Sequence, residues 1–134
     1  MVGTDASDLT VVIGALLAAG GPRRFAAASM FPLHEAVRGL YADPDSRHVP
    51  GSLMLTRAPD VGLAVEGMPE ALYGLLLDEV LLVEVLDGQP YFCTDPDRLR
   101  TSRRWLMGLE PSVAASYRRT ATAWTTRCSS LMKT

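Results

Sequence analysis

A chain of 134 residues suffices for one domain with a real hydrophobic core and falls short of two ordinary ones, and its 48% apolar and 21% charged residues exclude a globally disordered polymer. The formal net charge of −2 conceals a reversal: residues 1–95 carry five arginines against thirteen carboxylates, whereas residues 96–134 carry eight basic residues against two acids. Cys93 and Cys128 are too few for a disulfide framework and too far apart for a metal knuckle, which predicts free thiols in a reducing cytoplasm.

Taken in order, Leu9, Val12, Ile13, Leu16 and Leu17 fall at helical spacing and predict the clearest helix of the chain. Asp5 or Ser7 is its candidate cap, and Gly20-Gly21-Pro22 its stop. Gly14 inside it costs about 1 kcal/mol relative to Ala, which predicts a close packing contact there. The apolar run at residues 9–19 is too short to span a bilayer and is preceded by Asp5 and Asp8 instead of cations, so neither a signal peptide nor a membrane contact is expected. Pro32 divides the next helical pattern into a short turn over residues 23–28, a cap at Ser29 and a helix over residues 30–41 carrying Met30, Leu33, Val37 and Leu40. Residues 44–68, broken by Pro44, Pro50 and Pro59, form a connector. Within it residues 53–57 and 61–66 pair as strands across Ala58-Pro59-Asp60, or one of them adds a third strand to the hairpin that follows.

That hairpin is the best-defined stretch. In residues 69–94, PEALYGLLLDEVLLVEVLDGQPYFCT, Pro69 suits a first helical position and Leu72, Leu75 and Leu76 follow at helical spacing. Residues 80–86 then read as a strand, Asp87-Gly88 as a type I′ turn with positive φ at both positions, and residues 90–94 as the returning strand. After it, Thr94-Asp95-Pro96 predicts a helix start, with Leu99, Trp105, Leu106 and Leu109 as the apolar residues of that helix. The last helix, residues 111–132, carries a narrow seam of Val113, Tyr117, Ala121, Trp124, Cys128 and Leu131.

The fold class is therefore mainly α with a small β-hairpin, an α+β domain over residues 1–134. Helix, helix, connector, helix and hairpin over about residues 8–94 resemble the winged-helix family, in which three helices and a β-hairpin wing pack on one small core; residues 95–132 form a C-terminal helical extension. The resemblance implies DNA binding with the third helix in the major groove, which places Glu70 to Glu79 at the bases. This stretch lacks the Arg, Lys, Asn or Gln that such a role requires and contributes Glu70, Asp78 and Glu79 instead.

No catalytic constellation, metal set or cofactor motif emerges. His34-Glu35 is followed by Arg38 where a zinc helix needs a second histidine, and His34 reads as a partly buried structural residue. His48 has no partner near it in sequence. Asp78-Glu79 and Asp95-Pro96-Asp97 read as a helix end and a helix cap, and Gly20-Gly21-Pro22-Arg23-Arg24 lacks the lysine of a phosphate loop. The candidate binding residues are Arg98, Arg100, Arg103 and Arg104, beside Trp105, and Arg118 and Arg119. They are suited to nucleic-acid phosphates or to an acidic partner, the chain's own first part included. Tyr117, Trp124 and Leu131 are the candidate protein interface. These features predict a non-catalytic interaction module that docks onto another protein chain, a second copy of itself included. The alternative is a small DNA-binding regulator or antitoxin that uses the C-terminal arginines.

Overall fold

The computed structural model describes residues 6–46, 49, 53–58 and 62–132. Asp5, His48 and the Pro59-Asp60 turn lie outside the described residues, as does the side chain of Leu131. The fold is mixed α+β, with five helices and two small antiparallel sheets among the described residues.

Helix α1 (Ala6–Ala18) is the central rod: Leu9, Val12, Ile13, Ala15 and Leu16 are all fully buried. It ends in a glycine cap. Gly20 takes φ 122°, Gly21 N–H donates to Leu16 C=O at 3.0 Å, and Gly20 N–H donates to Leu17 C=O. Strand β1 (Arg24–Ala26) follows, where a helical turn was expected. Three residues show no periodicity of their own; their extended form is imposed by pairing with a strand nearly seventy positions later. Phe25 is held there at centroid distances of 5.4 Å from Phe92 and 5.2 Å from Trp124.

Helix α2 (Phe31–Ala42) holds Pro32 in its first turn. The expected Ser29 cap is not formed: the N-cap is Met30, and no side chain bonds there. A single 3-10 turn, Pro44–Ser46, leads to a separate hairpin of β2 (Leu55–Ala58) and β3 (Gly62–Val65), paired antiparallel as one of the two sequence alternatives has it. Helix α3 (Met68–Leu77) follows Gly67 at φ 87° and carries Pro69 in its first turn. It ends at Leu77 with Asp78 as C-cap, and Glu79 beyond it adopts φ 59° so that Val80 N–H reaches Leu75 C=O at 2.9 Å.

Strands β4 (Leu82–Leu86) and β5 (Gln89–Cys93) flank the Asp87-Gly88 turn, with φ of 52° and 77° as a type I′ turn requires. The third strand of this sheet is β1, in the order β1–β5–β4. Helix α4 (Arg100–Met107) begins about five residues later than the sequence suggests. Asp95 Oδ1 accepts the Arg98 N–H at 3.1 Å, but the turn it starts closes through Leu99 N–H to Pro96 C=O before regular helix begins.

Helix α5 (Pro111–Met132) lies across α1 and α2. Its described seam is buried throughout, with Tyr117 fully buried and Trp124 2% exposed. The seam is thus filled by the chain's own core. The protein-interface role assigned to Tyr117 and Trp124 is corrected accordingly: a heptad-like stripe marks one dry face, and here α1, α2 and Phe25 keep it dry.

Gly14 lets α4 approach α1. A Cβ built there would stand 2.5 Å from Ser102 Oγ and an ordinary 3.5 Å from Ser102 Cβ. Gly14→Ala forces the Ser102 hydroxyl to rotate away, so it is expected to gain less than the full helix propensity of alanine. The same change in a Ser102→Ala background, with the Oγ removed, should recover most of the helix-propensity gain of about 1 kcal/mol. Urea unfolding of the single and double variants measures both, and equal effects of Gly14→Ala in the two backgrounds would contradict this contact.

Candidate functional site

Three elements and one sheet face enclose a groove of 640 Å³, bounded by the start of α2, the β2–β3 hairpin, the length of α3 and the aromatic ring of β5. Its walls include Met30, His34, Val65, Leu72, Leu76 and Phe92, and among the described residues the charged ones that line it are Glu66 and Glu70. The groove arises because α3 turns one face to α1 and leaves the other open. Met68, Ala71, Leu72 and Leu75 are buried, whereas Tyr73 and Leu77, one turn apart on the outer face, are 62% and 65% exposed. The apolar surface continues onto the sheet, where Val83 sits in register with Phe92 and on the same face.

His34 forms part of the groove's inner wall and is 7% exposed. Its Nδ1 accepts the Val65 N–H at 2.9 Å, so in the neutral ring the proton resides on Nε2. Burial, and secondarily the Arg38 charge one turn on, hold its pKa below the usual 6.5. The bond closes the β2–β3 hairpin onto α2, and Arg38 adds a second tie by donating to Leu63 C=O. The structural reading of His34 thus matches its geometry, and the residue links two walls of the groove.

The arginines go elsewhere. Arg98 donates to Glu79 C=O at 2.8 Å and pairs with Asp95 at 3.3 Å, and the two carboxylate pairs of the sequence, Asp78-Glu79 and Asp95/Asp97, line one surface recess with it. Arg100 pairs with Asp97 at 3.4 Å, and Arg103 donates to Pro96 C=O at 2.9 Å. Arg119 pairs with Asp43 at 3.0 Å and with Asp45 at 3.3 Å. Hydrogen bonds from Ser116 Oγ first, then from the Asp45 N–H and Arg119, hold the Asp43 carboxyl below its usual range, and the Asp43 and Asp45 carboxylates raise Arg119. Arg104 and Arg118 are exposed and meet no partner among the described residues. The six arginines therefore form no single stripe. Trp105 lies edge-on to Tyr117 at 5.9 Å, part of the core and not a stacking platform.

Among the described residues no three His, Cys, Asp or Glu side chains converge as a metal site, and no helix is long and apolar enough to cross a membrane. Both thiols are free and pushed up mainly by burial. Cys93 also donates to Glu84 at 3.3 Å. Compared with protein-family models, with curated proteins and with solved structures, the chain matches none of them at significance.

The groove itself was not visible in the sequence, because its walls come from segments more than sixty positions apart. The one local signal is Tyr73, an aromatic residue on the side of a helix opposite its apolar stripe.

The His34 tie has a pH signature. Because the folded ring binds a proton more weakly than the unfolded one, the unfolded chain holds more protons just below pH 6.5. Stability is therefore fully present above that pH and declines as pH falls through it. His34→Asn, which offers Oδ1 to the Val65 N–H, should flatten this dependence in urea midpoints measured against pH. His34→Leu, which leaves that buried N–H without an acceptor, should cost about 1–3 kcal/mol at neutral pH. An unchanged pH profile in His34→Asn would show that the ring is not the titrating group.

Proposed function

We propose that the chain is a non-catalytic, winged-helix-like interaction module whose groove and outer α3 face dock onto another protein chain. The observation that supports this most is the makeup of α3. In the winged-helix arrangement this third helix meets the bases, yet its outer face presents Tyr73 and Leu77 with Glu70, and no Arg, Lys, Asn or Gln lies between Met68 and Leu77. A carboxylate-flanked apolar surface repels a phosphate backbone and gains by excluding water against a second protein. Most of the C-terminal arginines are engaged by carboxylates or carbonyls of the same chain, which weakens the reading of the cluster as a phosphate site.

The test compares what the native chain retains at moderate salt with what Tyr73→Arg retains. Tyr73 is exposed, so the variant should keep its circular dichroism and unfolding midpoint while releasing a protein that the native chain holds. Fluorescence anisotropy with a DNA duplex at low salt should show no complex. A duplex complex that weakens steeply with salt, and weakens further in Arg103→Ala with Arg104→Ala, would replace this proposal with a small DNA-binding regulator or antitoxin.

A further inference from the structure

Strand β4 is the outer strand of the three-stranded sheet. Its ladder determines which backbone groups it leaves open. The two-residue loop makes Leu86 and Gln89 the closing hydrogen-bonded pair, and bonded pairs alternate from there, so Leu82, Glu84 and Leu86 turn their N–H and C=O toward β5. The far side of β5 has the matching parity: Ala27 N–H donates to Pro90 C=O at 3.1 Å, and Thr94 N–H donates to Arg23 C=O at 2.9 Å. Val83 and Val85 therefore direct both backbone groups away from the sheet, where no described residue meets them. Their side chains are 55% and 65% exposed. An open apolar edge is a template for another strand, and β4 carries none of the Lys, Pro or bulge that usually blunts one.

The edge is also self-complementary. Leu82-Val83-Glu84-Val85-Leu86 reads the same in both directions. Two copies set antiparallel about a two-fold axis through Glu84 place Val83 opposite Val85 of the second copy, and Val85 opposite its Val83. Both are bonded pairs, so every outward N–H and C=O of the strand is satisfied. Leu82 then faces Leu86 of the second copy. An axis placed between two residues, a register shift of one, pairs outward groups with inward ones. Moving it to Val83 or Val85 leaves only one bonded pair, since Leu81 N–H is already held by Leu75 C=O at 3.1 Å and Asp87 has left the extended conformation.

The unfavourable element is Glu84 opposite its own copy, in a non-bonded pair where side chains come closest. Each carboxylate already has Arg24 at 3.7 Å and accepts the Cys93 thiol, so two guanidiniums accompany the two carboxylates.

We propose that β4 is a self-association edge, through which two copies of this chain join antiparallel over residues 82–86 into one six-stranded sheet. The groove beside α3 is a different surface, and either can fail without the other.

Sedimentation velocity on the whole chain from micromolar to millimolar concentration tests this, together with amide hydrogen exchange. The mass should double with concentration, and the Val83 and Val85 amides should slow in step with the dimer fraction. Val83→Pro removes an outward N–H, which its own hairpin does not use, so the variant should fold and remain monomeric. Glu84→Gln, which removes the like charge at the axis, should tighten the dimer several-fold. A wild-type chain that is monomeric throughout, with unprotected Val83 and Val85 amides, would overturn the proposal. So would a dimer that survives Val83→Pro with protection arising elsewhere, and one weakened by Glu84→Gln would place the axis at another residue and overturn this register.

Discussion

Helix α1 presents apolar side chains around most of its circumference, and water must be excluded from all of them at once. One flat partner cannot do that. The chain surrounds α1 with α3, α4 and α5, close enough that Gly14 meets Ser102 and Gly74 meets Thr10. Burying a side chain such as Leu9, Ile13 or Leu16 is worth about 1.5–3 kcal/mol each, whereas an exposed ion pair contributes roughly 0–1. The dry rod therefore holds the fold together, and the many arginine–carboxylate contacts orient elements that the core has already gathered.

Those contacts give the charge reversal of the sequence a spatial meaning. The basic C-terminal part folds back over the acidic first part, with Arg119 on Asp43 and Asp45 and Arg127 on Glu35 at 2.6 Å. Arg98 fastens the turn before α4 to the end of α3. Each pair keeps at least one partner well exposed and is individually weak, but together they set where α5 and the segment before α4 lie on the surface. Charges matched in this way offer a polyanion less than their number suggests.

What remains uncovered is concentrated around α3 and the sheet. One face of α3 closes the core, and the other borders a groove whose walls are tied together by the bond from Val65 to His34. A neutral histidine suits that position because it accepts a buried N–H without bringing a charge into an apolar wall. The same region holds Tyr73, Leu77 and the free edge of β4, surfaces that a small monomeric domain ordinarily limits.

The sequence by itself determined the elements whose cause is local. Helix α1 follows from apolar spacing, the start of α3 from Pro69, and the β4–β5 hairpin from Asp87-Gly88, since neighbours a few positions apart decide helical faces and two residues decide the sign of φ at a turn. The seam of α5 was equally legible as a dry stripe. Only the tertiary structure decided what dries it: Trp124 meets Phe25, a residue about a hundred positions away on a strand too short to signal itself. The groove, the recess that Asp78, Glu79, Asp95 and Asp97 line with Arg98, and the open edge of β4 were decided in the same way. Each depends on which segments end up adjacent or on which side of a strand is left unpaired, and hydrophobic periodicity shows that a face is dry or wet without naming what lies against it.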